Sequence, residues 1–204
     1  MAHIPDGVLS VPVLIGGGII AAAGVGVSLR HLDDKAIPRT AILSAAFFVA
    51  SLFAVPVGPS SVHLLLGGLM GLIIGSLTFP AVLIGLILQT VLFGFGGLTT
   101  LGINTVNMAL PGVVLAAIFA PAISRGSITR AAVLAGICAG LAVMGTGGLV
   151  ALCLVLSSSN YVPSARIMLA TYIPLMFGEG VITGFAVVFI RRVKPELLKG
   201  EIGI

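Results

Sequence analysis

The sequence of 204 residues contains no tryptophan and few charged side chains. Lys, Arg, Asp and Glu together make up 8% of the residues, whereas a soluble domain carries roughly 25%. Hydrophobic residues account for 58%, and the mean hydropathy is +1.26. This composition excludes an ordinary soluble domain and predicts a protein that lies in a lipid bilayer.

Several motifs of catalysis and of nucleic-acid binding are also missing. The chain has no GxxxxGK[ST] phosphate loop, no HExxH and no GxSxG, so we do not expect it to hydrolyse ATP or to act as a membrane-embedded hydrolase. The net charge of +4 is not concentrated in a basic run with interleaved aromatic residues. The sequence therefore predicts neither an enzyme nor a partner of nucleic acid.

Cysteine is scarce, and its spacing argues against a disulfide. Cys138 and Cys153 are the only two cysteines, and both fall in one apolar stretch. A helix rises about 22 Å over that separation, which exceeds the reach of an S–S bond. We interpret both as small buried side chains without a redox or metal role.

Seven apolar stretches divide the chain. They cover about residues 11–29, 40–57, 62–76, 79–95, 104–123, 131–156 and 167–190. A bilayer core takes about 20 helical residues, so the long region 62–95 is interpreted as two helices separated at SLTFP. The predicted fold class is an all-α integral membrane protein, a single bundle of seven transmembrane helices.

The positive charges predict how these helices are oriented. With the C-terminus in the cytoplasm, nine of the ten Lys and Arg residues lie on the cytoplasmic side, and only Arg166 lies outside. The N-terminus is then outside. We expect an extracytoplasmic arm (1–10), a transmembrane domain (11–190) and a cytoplasmic basic tail (191–204).

The opening MAHIPDG places a histidine close to a free α-amine, which is a metal-chelating arrangement. If Met1 is retained, its amine, the amides of Ala2 and His3 and the His3 ring supply four nitrogens. If Met1 is removed, the Ala2 amine, the His3 amide and the His3 ring supply three, and His63 can supply the fourth. Nitrogen ligands favour the later divalent metals over Mg²⁺ and Ca²⁺.

In the alternative interpretation the two histidines have no metal role. His63 follows PVGPSS and is expected to open the third helix, where it would cap that helix and bind water without holding a metal. Both His3 and His63 fall on the outer side in the predicted topology. His31 lies in the cytoplasmic RHLDDK loop and is interpreted as a solvated residue.

Four segments together resemble a known family. HIPDG, VPVGPSSVHLLLGGLMGLIIG, PAVLIGLILQTVLFGFGGLTTLGINTVNMALPG and EGVITGF are similar to CbiM, the substrate-capturing membrane subunit of cobalt importers of the energy-coupling factor type, and to its nickel counterpart NikM. In that family the ion is held by the amino terminus, the adjacent amide, an early histidine and a later one. The matching positions are His3 and His63. Because Ala2 is inserted before His3, the resemblance implies Ala2 as the amine ligand, or Met1 where it is not removed.

The resemblance implies a Co²⁺-capturing subunit in the bacterial inner membrane. Its expected partners are a transmembrane coupling subunit of the CbiQ kind, ATPase subunits of the CbiO kind and a small membrane subunit of the CbiN kind. Ni²⁺ capture in the same class of transporter is the first alternative. A scaffolding membrane protein without metal is the second.

Polar residues near the predicted site are expected to hold the arm over the metal and to orient its ligands. They are Asp6, Ser60, Ser61, Gln89, Asn104 and Asn107. The alternative for the three amides is hydrogen bonding between helices without a metal role. Asp6 and Gly7 would then form only a turn before the first helix.

Two further features lie within the spans. Glu179 is the only acidic residue there, and we interpret it as structural, either protonated or accepting hydrogen bonds from Ser or Thr hydroxyls. Gly18, Ala22 and Gly26 lie four residues apart on one helix face. That face is expected either to pack within the bundle or to dock the coupling subunit.

Overall fold

Helices joined by short connections make up most of the chain. The computed structural model describes residues 3–57 and 60–198. Its α-helices are α1 (Val11–Leu29), α2 (Ala36–Ser51), α3 (Gly67–Ile74), α4 (Thr78–Phe93), α5 (Leu101–Arg125), α6 (Ile128–Ser157) and α7 (Val162–Val193). Short 3-10 turns cover Gly75–Leu77, Ser159–Tyr161 and Pro195–Leu198. An antiparallel hairpin of two strands, β1 (Val55–Val57) and β2 (Ser60–Val62), is the addition to the predicted all-α fold.

Five helical stretches of the described chain are long and apolar enough to cross a membrane. They are Val11–Leu29, Gly67–Phe93, Leu101–Arg125, Ile128–Ser157 and Ser159–Val193. The shorter α2 is also apolar. The chain is therefore a multi-pass helical membrane protein, while the count of seven spans and the orientation stay predictions.

The second and third predicted helices were wrong in their extent. The second ends at Ser51 instead of continuing to residue 57. Pro56 disfavours the helical conformation in the residue before it, and the valines on either side of it prefer strands. The third prediction, residues 62–76, is helical only over Gly67–Ile74 within α3, because β2 and a segment without regular secondary structure precede it. Apolar periodicity alone does not separate a short buried strand from a helix.

The predicted break at SLTFP is confirmed. Gly75 adopts φ 54° and ψ −130°, a conformation that a side chain disfavours, and the 3-10 turn follows directly. Helix α4 then begins at Thr78, with Pro80 in its first turn, where a missing backbone N–H costs no hydrogen bond. It ends at Gly94 in the left-handed conformation, close to the predicted boundary at residue 95.

Glycines let α3 and α5 touch backbone to backbone. A methyl group at Gly71 would overlap the carbonyl of Gly112, and a methyl at Gly112 would overlap the carbonyl of Gly67. Gly71 also lies beside Ala116, one turn further along α5, so the two helices run in the same direction. Small residues give such helices their contact area in lipid, where there is no hydrophobic drive between them.

Helix α7 packs antiparallel to α6 and is tied to the end of α5. Gly136 faces Gly180, and Gly147 faces the ring of Tyr172. One guanidinium nitrogen of Arg191 donates to the carbonyl oxygens of residues 123 and 126, at 3.2 and 2.7 Å, and so satisfies acceptors that the α5 terminus leaves open. Both cysteines are buried and free, as predicted.

The small-residue face proposed on α1 is only partly covered. Gly18 lies against Gly102 of α5, whereas Ala22 and Gly26 are exposed. Further tight contacts of α1 are made by Gly17 against Ile103 of α5 and by Gly24 against the ring of Phe79 in α4. Packing within the bundle therefore accounts for Gly18 but leaves the other two residues of that face uncovered.

Candidate metal-binding site

Two histidines 60 residues apart in sequence lie together in the interior. The Nε2 atoms of His3 and His63 are 3.1 Å apart, and the ring centroids are 5.0 Å apart. The rings are 6% and 3% exposed. Two imidazoles almost removed from water and facing each other form a nitrogen-rich site.

The segment that carries His63 differs from the predicted one. His63 directly follows β2, and residues 64–66, which have no regular secondary structure, separate it from α3, so it does not open a helix. Its Nδ1 lies 2.9 Å from the carbonyl oxygen of Leu64. Because a carbonyl only accepts, Nδ1–H is the donor, and the lone pair of Nε2 is left facing His3.

The tautomer of His3 follows from that of His63. Since His63 Nε2 is an acceptor, the contact between the two rings requires a proton on His3 Nε2. The Nδ1 atom of His3 then carries a lone pair. It is buried and has no hydrogen-bond partner within residues 3–57 and 60–198. A buried ring nitrogen whose lone pair accepts no hydrogen bond is available to bind a metal ion.

Burial keeps both imidazoles neutral. It lowers the pKa of His3 to about 3, with a smaller contribution from the neighbouring His63. Burial also lowers the pKa of His63. Because metal ions bind the neutral ring, both histidines are ready to act as ligands at neutral pH.

Asn104 of α5 holds the N-terminal arm in place. Its Oδ1 accepts from the N–H of Ile4 at 3.2 Å, and its Nδ2 donates to the Ile4 carbonyl at 3.0 Å. The side-chain amide thus pairs with the backbone as a neighbouring strand would. Ile4 follows His3 directly, so this pair of bonds positions the histidine. It is the contact that the predicted role of Asn104 requires.

Asp6 fixes the other end of the arm. Its carboxylate accepts backbone N–H bonds from Leu98, Thr99 and Thr100, at 3.1, 3.0 and 3.3 Å. Its pKa is lowered mainly by the hydrogen bond from the Thr99 hydroxyl. These bonds therefore stabilise the arm above the ordinary pKa of 3.8, and they are lost as the pH falls through the lowered value.

A glycine-rich turn after α4 receives the arm, and the sequence reasoning missed its role. Gly96 has φ +77°, and a Cβ there would lie 3.5 Å from the Cβ of His3. A Cβ at Gly97 would overlap the Asp6 carboxylate. The clustered glycines of GFGGLTT were the available signal, because such clusters mark places where another backbone approaches.

The other two predicted amides make no hydrogen bond to residues 3–10, the described part of the arm. Asn107 is buried, and its Oδ1 lies 3.7 Å from the sulfur of Cys153, which is the interhelical contact of the alternative interpretation. Gln89 is fully buried, and its amide has no hydrogen-bond partner in the part of the chain that the structure describes. The side chains of Ser60 and Ser61, as well as Met1 and Ala2, lie outside the described residues.

Glu179 has partners other than those predicted. One carboxylate oxygen accepts from the backbone N–H groups of Leu65 and Leu66, the latter at 2.8 Å, and not from Ser or Thr hydroxyls. The side chain is fully buried. These amides belong to the segment just after His63, so Glu179 acts on the site's own backbone.

The side chains that meet at this candidate site contribute ring nitrogens. No group of three or more His, Cys, Asp or Glu side chains that could hold a metal lies within residues 3–57 and 60–198. Imidazole and amine nitrogens suit Co²⁺, Ni²⁺ and their neighbours, and they do not suit Mg²⁺ or Ca²⁺.

Fold and site together define a class: a multi-pass helical membrane protein with a buried pair of histidines next to its N-terminus. Residues 3–197 match the family model for CbiM, described as the cobalt uptake substrate-specific transmembrane region. The chain belongs to the CbiM family, the substrate-specific membrane component of cobalt or nickel uptake. Members of this family function in transporter complexes with other membrane subunits.

Relatives cover most of the chain. A putative metal transport protein of Haemophilus influenzae is 37% identical over 96% of both chains. The cobalt transport protein CbiM of Sorangium cellulosum is 30% identical over 96% of this chain and 94% of its own length. The fused nickel transport protein NikMN of Rhodobacter capsulatus is 36% identical over 56% of this chain. A transition metal transporter of known crystal structure matches with a TM-score of 0.75 and 25% identity, over 94% of this chain and 93% of that one.

Proposed function

We propose that this chain captures Co²⁺ for an ATP-driven importer of the energy-coupling factor type. The ion is bound by the ring of His3, its backbone amide, the amine of Ala2 and the ring of His63, or by the Met1 amine where Met1 is retained. The chain crosses the membrane seven times, with the arm outside and the C-terminus in the cytoplasm of a bacterium. ATP hydrolysis in the partner subunits drives release inward.

The observation that carries this proposal is the buried histidine pair. Its Nε2 atoms are 3.1 Å apart, and His3 Nδ1 has a free lone pair within the described chain. A scaffolding role does not explain why an aspartate, an asparagine and a glycine turn hold two neutral imidazoles together in the interior. A divalent ion of the later transition series can take up the lone pairs of His3 Nδ1 and His63 Nε2 together.

Ni²⁺ is the second candidate, because a nitrogen-only ligand set binds it more tightly than Co²⁺ in the usual order of affinities. Similarity to the NikMN protein of R. capsulatus supports the same alternative. The family description and the relative from S. cellulosum favour cobalt.

The partners follow from what the chain lacks. Without a phosphate-binding loop, it needs ATPase subunits of the CbiO kind and a coupling subunit of the CbiQ kind. A small membrane subunit of the CbiN kind is supported by relatives in which the two chains are fused. The exposed face of α1 that carries Ala22 and Gly26 is the proposed docking surface for the coupling subunit.

Reconstitution tests the proposal. The chain is placed in liposomes with and without the coupling and ATPase subunits, and uptake of Co²⁺ and of Ni²⁺ is followed with and without ATP. We expect uptake only with all subunits and ATP. Equal uptake by the chain alone without nucleotide would identify an autonomous transporter and overturn the proposal.

Asn104 and Asn107 offer a matched pair of variants for the arm. Asn104→Ala removes both bonds to Ile4 and frees His3, so we expect Co²⁺ affinity to fall by about 10- to 100-fold, as for other groups that orient metal ligands. Asn107→Ala, one turn away on α5, touches no part of the arm and should leave affinity within about twofold. Competition titration with a chromophoric chelator measures both. Equal losses in the two variants would contradict the proposed role of Asn104.

A further inference from the structure

A single peptide group connects Glu179 to His63. The carbonyl of Leu64 accepts the proton of His63 Nδ1 at 2.9 Å, and the N–H of Leu65 donates to Glu179. These two groups are the C=O and the N–H of the same peptide bond. The hydrogen-bonded groups therefore follow one another from the Glu179 carboxyl oxygen to the N–H of Leu65, the C=O of Leu64 and the Nδ1–H of His63. They end at the Nε2 lone pair of His63, which faces His3.

Through these hydrogen bonds Glu179 polarises the Leu64 carbonyl, and the carbonyl in turn holds the proton on His63. A carboxylate that accepts the peptide N–H increases the negative charge on the carbonyl oxygen of that peptide, because hydrogen bonds in a chain polarise one another. The more basic carbonyl holds the proton on His63 Nδ1 more firmly. The lone pair then stays on Nε2, on the side of His3, and is more basic toward an ion.

The surroundings keep the arrangement intact. Glu179 is fully buried, and His63 is 3% exposed, so water does not compete for these bonds. The same carboxylate oxygen also accepts from Leu66, whose φ of +53° is a left-handed conformation unusual for a residue with a side chain. Such a conformation is strained and persists where its surroundings hold it. Glu179 therefore holds the backbone just after His63.

We propose that Glu179 is a positioning residue for the metal site, acting through the Leu64–Leu65 peptide to fix the tautomer and orientation of His63. The proposal rests on the proposed function, since it assigns His63 Nε2 to the ion. It gives the intramembrane carboxylate a role that the sequence alone did not suggest. The lone pair of His63 is set from α7, an element that contributes no ligand itself.

Nuclear magnetic resonance of the imidazole nitrogens tests the tautomer without any metal. The protein is isotopically labelled at histidine, purified in detergent and free of metal, and carries His31→Gln to remove the third histidine. We expect His63 to show a protonated Nδ1 and an unprotonated Nε2 in the parent protein. In Glu179→Ala both tautomers should be populated, with averaged or doubled ring-nitrogen signals.

Glu179→Gln keeps an acceptor oxygen in the place of the carboxyl oxygen. The side-chain carbonyl of glutamine still accepts from both backbone N–H groups, so the variant should fold, keep the parent tautomer and bind Co²⁺ within about twofold of the parent. Glu179→Ala removes the acceptor and should lose about 10- to 100-fold.

Thr183→Val is the control on the same helix. Thr183 is fully buried one turn beyond Glu179 and makes no side-chain hydrogen bond within residues 3–57 and 60–198. We expect parent tautomer and parent affinity. Affinity losses in this variant equal to those of Glu179→Ala would reveal a general packing effect and overturn the proposal.

Two other results distinguish failure of this inference from failure of the proposed function. If His63→Ala lowers Co²⁺ affinity while folded Glu179→Ala and Glu179→Gln keep the parent tautomer and affinity, the site stands and the role of Glu179 is wrong. If His63→Ala binds Co²⁺ as tightly as the parent, the proposed ligand set is wrong, and the assignment of Glu179 to it falls as well.

Discussion

Replacing His63 by alanine is expected to weaken Co²⁺ binding by more than the roughly 100-fold that loss of a ligand-orienting group costs. His63 Nε2 faces His3 at 3.1 Å and is one of two side-chain nitrogens with lone pairs in the site. Its loss leaves the buried His3 with no second imidazole beside it. Within the described chain, no other His, Cys, Asp or Glu side chain joins this site to replace it. Native mass spectrometry of the detergent-purified protein counts the bound ion, and chelator competition gives the affinity.

His31→Ala is the matched control for this prediction. His31 is exposed at the end of α1 and belongs to the segment that joins α1 to α2. Its removal should leave the bound ion and its affinity unchanged. The same mass measurement reports whether Met1 is present, which decides between Met1 and Ala2 as the amine. Full metal occupancy in His63→Ala, with Met1 retained, would mean that the N-terminal tripeptide chelates alone.

The second large effect is expected from a single methyl group at Gly112. In Gly112→Ala the new methyl overlaps the carbonyl of Gly67, so α3 must move away from α5. Overpacking of this kind costs about 1–3 kcal/mol, which outweighs the roughly 1 kcal/mol that alanine gains over glycine in a helix. Because α3 follows the His63 segment, Co²⁺ affinity should fall together with stability.

Gly148→Ala provides the control for the methyl group. Gly148 is also a helical glycine, in α6, but it is exposed and a Cβ there would meet nothing within 4 Å. This variant should be as stable as the parent or gain up to about 1 kcal/mol. Reversible unfolding in mixed detergent micelles, followed by circular dichroism, compares the two. Equal stability of the two variants would show that the contact between α3 and α5 is not tight.

Much of the site was accessible from the residue pattern. A histidine near the amine and a second histidine on the same predicted side of the membrane are local signals, and the two rings do lie together. Asn104 was expected to hold the arm and does contact it. Asn107, three positions later, was expected to do the same and instead faces Cys153. Three positions along a helix leave a residue on the same face, but rotated by about 60° and about 4.5 Å further along the axis, and the pattern alone does not reveal which element each of the two amides meets.

The extent of the third helix shows a different limit. Residues 62–76 are apolar throughout, and an apolar run is equally compatible with a buried strand, an extended segment or a helix. The choice is made by contacts. The N–H groups of Leu65 and Leu66 are satisfied by Glu179 instead of by a preceding helical turn, so the helix starts only at Gly67. The sequence near His63 does not indicate that the backbone there bonds to a side chain more than a hundred residues away.

The sequence by itself determined the environment and the chemical type of this protein. Its hydropathy requires lipid, its glycines allow close helices, and its early histidine places an imidazole nitrogen near the start of the sequence. Only the tertiary structure decided which lone pairs meet and what holds them. Backbone N–H and C=O groups are the same in every residue, so the link from Glu179 through the Leu64–Leu65 peptide to His63 leaves no trace in composition or spacing. It exists because folding brings α7 against the segment before α3, in an interior where water is not available to pair the backbone N–H groups of Leu65 and Leu66.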